Sequence, residues 1–137
     1  MIPEPLKIAI DFDGTLVENE YPQIGKPIIF AFETLKKLED KGYRLILWTY
    51  RCGKPLQEAV SFCEKKGITF YAVNRSYPEE ELDTSISRKI NADIFIDDRN
   101  IGGLVGWGEI HKLLLEDETL PKKKRKNKKG LFSILKR

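Results

Sequence analysis

The chain has 137 residues, of which 41% are hydrophobic and 33% charged, so we expect a globular domain and exclude wholesale disorder. No apolar run approaches the ~18 residues that a membrane span needs, and the first residues lack the cationic start and apolar stretch of a secretory signal. We therefore predict a cytoplasmic protein. Cys52 and Cys63 are too few for a disulfide framework, and their spacing is not that of metal ligands.

The net charge of +3 combines two parts of opposite sign. Residues 121–137 hold nine Lys and Arg residues and no acid, whereas residues 1–120 hold 15 basic and 21 acidic residues. An acidic body is therefore followed by a basic segment. We predict one folded domain over residues 1–120 and a basic, disordered tail over residues 121–137.

Short apolar runs alternate with helix-like patterns along the acidic body. Four runs rich in strand-forming residues occupy 7–12, 44–49, 68–74 and 92–97. Apolar residues recur at helical spacing from 27 to 42, from 55 to 66 and in a last segment that ends near 115. Strands that alternate with helices predict an α/β fold, here a three-layer sandwich around a parallel, Rossmann-like sheet of about four to five strands.

Polar side chains gather where the predicted strands end, which is where parallel sheets bind their ligands. The residues at or near these ends are Asp11, Asp13, Thr49, Lys89, Asp97 and Asp98. Four carboxylates on one rim would repel each other strongly, so we expect a divalent cation among them. Ligand sets made only of oxygen atoms favour Mg²⁺.

A carboxylate beside a cation, a lysine and a hydroxyl group indicates phosphate chemistry. The carboxylate attacks phosphorus, the metal and the lysine neutralise the transferring group, and the hydroxyl orients a phosphate oxygen. A second carboxylate two residues away can protonate the leaving oxygen and later deprotonate water. This division of labour fits Asp11 as the nucleophile and Asp13 as the general acid/base.

These residues resemble the four motifs of the haloacid dehalogenase (HAD) superfamily of phosphohydrolases. The sequence DFDGT at residues 11–15 matches the first motif, and the other three follow in the family's order as Thr49, Lys89 and the pair Asp97 and Asp98. The resemblance covers about residues 7–115 and implies a HAD-like fold.

The resemblance also implies roles. Asp11 would be nucleophile and Mg²⁺ ligand, and Asp13 the acid/base that ligates the metal through its backbone carbonyl. Thr49 and Lys89 would hold the phosphoryl group. Asp98 would bind the metal directly and Asp97 through water.

Two assignments stay open. Arg88 adjoins Lys89 and Arg75 is not far away, so any of the three could fill the third motif. Arg51, two residues after Thr49, is expected either to bind substrate phosphate or to balance the acidic rim.

The two windows where the family inserts a cap, residues 14–26 and 75–88, are too short for a cap domain. We therefore expect a capless site, either open or covered by a neighbouring subunit of a homo-oligomer, with Tyr21 and Pro22 as a small flap. The expected activity is Mg²⁺-dependent hydrolysis of phosphate monoesters through an aspartyl-phosphate. Substrates would be nucleotides, sugar phosphates or a phosphorylated macromolecule. The sequence IDDR at residues 96–99 is similar to the deoxyribonucleotidase branch, which favours nucleotides.

The basic tail suggests an alternative function. The block at residues 122–129 could attach the protein to nucleic acid, or to an anionic membrane surface with help from the apolar residues at 131–135. In that alternative, the chain is a nucleic-acid-binding or scaffold protein on a HAD fold with weak or no phosphatase activity.

Overall fold

The computed structural model describes residues 4–116. One parallel sheet in the order β3-β2-β1-β4 is built from β1 (Lys7–Ile10), β2 (Arg44–Leu47), β3 (Ala72–Val73) and β4 (Ile94–Ile96). The helices are α1 (Ala31–Asp40), α2 (Gly53–Lys65) and α3 (Trp107–His111), and α3 continues into a π-helical turn at Lys112–Glu116. The predicted α/β fold with four parallel strands is confirmed. The predicted tail at 121–137 lies outside the described residues.

The observed strands are shorter than the predicted ones, and they end before the polar residues. β1 stops at Ile10 instead of residue 12, and β2 stops at Leu47 instead of residue 49. β3 has only two residues, against seven predicted, because this edge strand pairs with β2 alone at Ala72 and Val73. The polar residues that follow β1 and β2 thus lie beyond the regular strand pairing.

The two faces of the sheet are covered differently. On one face, the alternating side chains of β1 and β2 pack with buried residues of all three helices. The strand residues are Ile8, Ile10, Leu45 and Leu47, and the helix residues are Leu35, Leu38, Ala59, Cys63, Trp107 and Ile110. On the other face, a small cluster of Ala9, Ile46, Ala72 and Ile90 has Trp48, Tyr71 and Ala92 packed against it.

No helix among residues 4–116 covers that second face, and this differs from the predicted three-layer sandwich. The segment that covers it, between β3 and β4, is irregular. Only Ile90 within it is a buried apolar residue, whereas a helix needs an apolar stripe to pack on a sheet. The described chain therefore has two layers of regular structure and an irregular cover.

No helix in the described part of the chain is long and apolar enough to cross a membrane.

Candidate active site

A tight turn follows β1 and carries the first acidic residues. The backbone N–H of Asp11 still donates to the carbonyl of Ile96 at 3.0 Å, after which the Gly14 N–H donates to the Val17 carbonyl at 2.7 Å. Gly14 has φ +88°, and a Cβ at this position would clash with the carboxylate of Asp98. Only glycine therefore lets the turn approach the end of β4 so closely.

Three carboxylates converge at this point of the sheet. Asp11, Asp97 and Asp98 each offer a carboxylate oxygen, and these atoms all lie within 4.8 Å of one another. The adjacency of β1 and β4 explains the cluster, because Ile10 pairs with Ile96 and the next residues of both strands emerge side by side. This is also where the strand order changes direction, the usual place for ligands in open parallel sheets.

The buried hydroxyl of Thr15 connects two of these carboxylates. Its Oγ1 lies 2.9 Å from Oδ2 of Asp11 and 3.3 Å from Oδ1 of Asp98, and it accepts the backbone N–H of Asp98 at 3.1 Å. The carbonyl of Thr15 in turn accepts the indole N–H of the buried Trp107 at 2.8 Å. Thr15 and Trp107 thus both orient the acidic cluster, a role for which the sequence alone gave no signal.

The pKa of Asp11 is raised from 3.8 to about 7. The causes are burial first, then the neighbouring Asp98 and the negative charge of Asp97, while the Thr15 hydroxyl acts in the opposite direction. No Lys or Arg of residues 4–116 forms an ion pair with Asp11, Asp97 or Asp98. The cluster thus carries negative charge that is not compensated within the described residues.

Asp13 has a different environment, since it faces Arg51. Nε and Nη2 of Arg51 donate to the two carboxylate oxygens of Asp13, each at 2.8 Å. The Arg51 side chain is fully buried, and that of Asp13 is 13% exposed. Such a bidentate pair fixes both the position and the plane of the carboxylate.

All five guanidinium N–H groups of Arg51 are engaged. Besides Asp13, they donate to the carbonyls of Pro22, Gln23 and Pro55 at 2.8–3.2 Å. The guanidinium carbon also lies 5.0 Å from the ring centroid of Phe12. Arg51 therefore has no donor left for a substrate phosphate. Of the two roles expected from the sequence, its geometry favours charge balance at the acidic rim.

Thr49 follows β2 and is held by Asn74, which follows β3. The Thr49 backbone N–H donates to Oδ1 of Asn74 at 2.8 Å, and Oγ1 of Thr49 accepts the N–H of Arg51 at 3.2 Å. Asn74 has a positive φ of 54°, a conformation that asparagine tolerates better than most residues. The sequence gave no signal for Asn74 beyond its place at the end of the third predicted strand.

A cavity of about 730 Å³ lies over this end of the sheet, and its lining includes Asp11, Asp13, Thr49 and Asp97. Five further lining residues come from the loops and from the residue after β2: Asn19, Tyr21, Trp48, Tyr50 and Arg99. The position of Tyr21 agrees with the flap expected from the sequence. Asn19, Tyr50 and Arg99 have no sequence signal for this site, because such surface residues carry no periodic pattern.

The three candidates for the third motif do not line this cavity. The ammonium of Lys89 lies 5.8 Å from the ring centroid of Phe95. Phe95 pairs in register with Ala9, and Ala9 belongs to the cluster on the second face of the sheet. Arg75 donates to the carbonyls of Glu80 and Val73, and Arg88 is exposed. The structure thus brings together Asp11, Asp13, Thr49 and Asp97, with Asp98 beside Asp11, but not Lys89.

The acidic cluster suits a hard divalent cation. It offers carboxylate oxygens from three residues and no nitrogen or sulfur, the donor set that Mg²⁺ prefers. Burial, and then the neighbouring carboxylates Asp98 and Asp97, raise the pKa of Asp11, and a bound cation would offset both effects.

A solved structure of a conserved protein from Bacteroides thetaiotaomicron is similar to this chain. The two sequences are 51% identical over 85% of this chain and 94% of the other, and the TM-score is 0.77. The chain therefore belongs to the same family as that conserved protein. Neither a protein-family model nor a curated protein matches the sequence.

The repulsion at Asp11 predicts a stabilising substitution. Because the folded chain binds a proton at Asp11 more tightly than the unfolded chain, ionised Asp11 lowers stability increasingly as pH rises from about 4 to 7. In EDTA at pH 8, Asp11→Asn should raise the thermal midpoint by a few degrees, and the gain should vanish near pH 4. Adding Mg²⁺ should stabilise the parent more than the variant.

The control for this measurement is Asp40→Asn, an exposed aspartate at the end of α1, which should change the midpoint little at either pH. A midpoint of Asp11→Asn that is lower than that of the parent at pH 8 would contradict the repulsion.

The buried pair predicts a large loss of stability on removing Arg51. Arg51→Met should lower the free energy of unfolding by about 3–5 kcal/mol, because Asp13 would keep its charge without a partner. Adding Asp13→Asn should restore part of that loss, and denaturant unfolding of the two single variants and the double variant measures the coupling. Strictly additive effects would show that the two side chains do not act as a pair. Arg99→Met, at an exposed arginine, serves as the control.

Proposed function

We propose that this chain is a Mg²⁺-dependent phosphatase of the capless HAD type, which hydrolyses phosphate monoesters through an aspartyl-phosphate on Asp11. The observation that carries the proposal is the convergence of Asp11, Asp97 and Asp98 within 4.8 Å. This cluster stands beside an open cavity that also holds Asp13 and Thr49. Its substrates are nucleotides, sugar phosphates or a phosphorylated macromolecule, and its location is the cytoplasm.

Asp11 supplies the nucleophile and Thr15 orients it. With the hydroxyl of Thr15 at Oδ2, the carboxylate of Asp11 is held at the edge of the cavity. One oxygen of Asp11 bonds to phosphorus as the bond between phosphorus and the ester oxygen breaks. Mg²⁺ held by Asp11, Asp97 and Asp98, with the Asp13 carbonyl, would neutralise the negative charge of the carboxylates and of the phosphoryl group.

Asp13 supplies and recovers the proton, and Arg51 is its positioning residue. Each carboxylate oxygen accepts one hydrogen bond from Arg51, which leaves further lone pairs on both oxygens. The Asp13 carboxylate takes a proton from the bound monoanionic ester and gives it to the departing alcohol. It then takes a proton from the water that attacks the aspartyl-phosphate and returns that proton to the phosphate, so that Asp13 is again a carboxylate. Phosphate leaves, and Asp11 is again a free carboxylate.

Thr49 holds a phosphoryl oxygen in this scheme. Its Oγ1 accepts the N–H of Arg51, and the hydroxyl hydrogen is free to be donated to the phosphoryl oxygen. We propose that Lys89 supplies the positive charge that neutralises the phosphoryl group. Its long side chain has to move away from the ring of Phe95 to reach the site. Arg99, which lines the cavity, is the competing cation.

Phosphate release from a panel of monoesters tests the proposal. The purified chain should release phosphate from at least one ester with Mg²⁺ and not with EDTA. Asp11→Asn should reduce kcat by at least about 10³-fold, because no other carboxylate can take the place of a lost nucleophile. Full activity in Asp11→Asn would exclude the covalent mechanism, and activity in EDTA would exclude the metal.

The same assay tests which cationic side chain neutralises the phosphoryl group. Lys89→Ala should lose activity if Lys89 has this role, while the control variant Asp40→Asn should be as active as the parent. A fully active Lys89→Ala would transfer that role to Arg99, or to Arg88 or Arg75 of the sequence alternatives.

A second function is favoured by one sequence observation, the block of like charge at residues 122–129. We propose that this block binds nucleic acid electrostatically, with phosphatase activity weak or secondary in that case. A gel shift with RNA or DNA should weaken steeply as salt rises, and it should disappear when the Lys and Arg residues of the block are replaced by Gln. A shift that survives those replacements would contradict the role, and vesicles of anionic lipid test the membrane in the same way.

A further inference from the structure

Two tyrosines form an exposed aromatic corner at the rim of the cavity. The ring centroids of Tyr21 and Tyr50 are 6.2 Å apart and their planes are inclined by 70°. Tyr50 is 91% exposed and Tyr21 46% exposed, and both line the cavity that holds Asp11 and Thr49. The corner therefore presents aromatic surface to solvent directly beside the acidic cluster.

The backbone and Arg51 hold this corner in place. The ring of Tyr21 lies 5.2 Å from the guanidinium carbon of the buried Arg51, and its backbone N–H donates to Oδ1 of Asn19 at 3.3 Å. Tyr50 follows Thr49 directly, and the N–H of Thr49 is bonded to Asn74. The ring of Tyr21 and the backbone next to Tyr50 thus have defined positions relative to the carboxylates, and the Tyr50 ring meets that of Tyr21.

Two other tyrosines of the described chain, Tyr43 and Tyr71, have structural partners that explain them. The hydroxyl of Tyr43 is buried and donates to the carbonyl of Leu114, and Tyr71 lies under the guanidinium of Arg44. Tyr77 is exposed but does not line the cavity. Tyr50 alone among them combines near-complete exposure with a position in the cavity, so its ring contributes little to folding and is available to a ligand.

We propose that Tyr21 and Tyr50 form a stacking subsite for a planar aromatic group of the substrate; this rests on the phosphatase function proposed above. A flat ring stacks on the face of Tyr50 while its edge meets Tyr21, the offset and edge-to-face contacts that aromatic rings prefer. The phosphate of the same molecule then reaches Asp11 and Thr49. The subsite selects aromatic phosphate monoesters over aliphatic ones of the same size.

A matched pair of substrates isolates the aromatic contact. Benzyl phosphate and cyclohexylmethyl phosphate both lose a primary alcohol and differ in whether the ring is aromatic and flat. The parent should have a KM for benzyl phosphate roughly three- to tenfold lower, with similar kcat. Tyr50→Leu should abolish this preference, whereas Tyr50→Phe and the control Tyr77→Leu should keep it. Equal KM values for the two esters in the parent, or a preference that survives Tyr50→Leu, would overturn the subsite.

A binding measurement separates the subsite from the phosphatase proposal. In Asp11→Asn with Mg²⁺, calorimetric titration should show the same preference for benzyl phosphate, and Tyr50→Leu should remove it there too. Preference in binding without turnover by the parent would leave the subsite standing and overturn the phosphatase. Turnover by the parent without any preference for benzyl phosphate would support the phosphatase and overturn the subsite. Comparing 5′-AMP with ribose 5-phosphate then shows whether the ring is a nucleobase.

Discussion

The pairing of β1 with both β2 and β4 is the constraint on which the site depends. β1 lies inside the sheet, so its polar continuation meets the continuations of both neighbours. On the β4 side, Asp11 meets Asp97 and Asp98, and the result is repulsion. On the β2 side, Asp13 meets Arg51, and the result is attraction. One strand thus places two carboxylates, those of Asp11 and Asp13, two residues apart in opposite electrostatic surroundings.

Arg51 connects that strand end with three other parts of the chain. Its donors reach the loop at Pro22 and Gln23, the first turn of α2 at Pro55, and Asp13. Burying a guanidinium is unfavourable unless its hydrogen bonds are satisfied, and here all five N–H groups are used. The same side chain supports the ring of Tyr21. The Asp13 carboxylate, the loop and the aromatic corner therefore depend on the same side chain, and a substitution of Arg51 would disturb all three.

The sheet, its parallel strands and the acidic residues could be predicted from the sequence, because apolar runs and the DFDGT turn are local signals. The irregular cover of the second sheet face could not be predicted, because nothing local in residues 74–92 shows which face they cover. Arg51 was predicted as a site residue with two alternative roles, since only the fold shows that its side chain is buried. Thr15 and Asn74 were missed for the same reason: each acts through partners distant in sequence. The role of Lys89 stays a prediction, because side-chain direction before a strand cannot be inferred from spacing.

The edges of the described sheet are very short. β3 offers two residues and β4 three, so neither presents the long row of unpaired backbone groups on which another chain can add a strand. Within the described residues, pairing between the sheet edges of two copies is therefore limited to two or three residues. An association of copies through the described residues would use side-chain surfaces instead of an extended sheet, and the strand order around the acidic cluster would be the same in each copy.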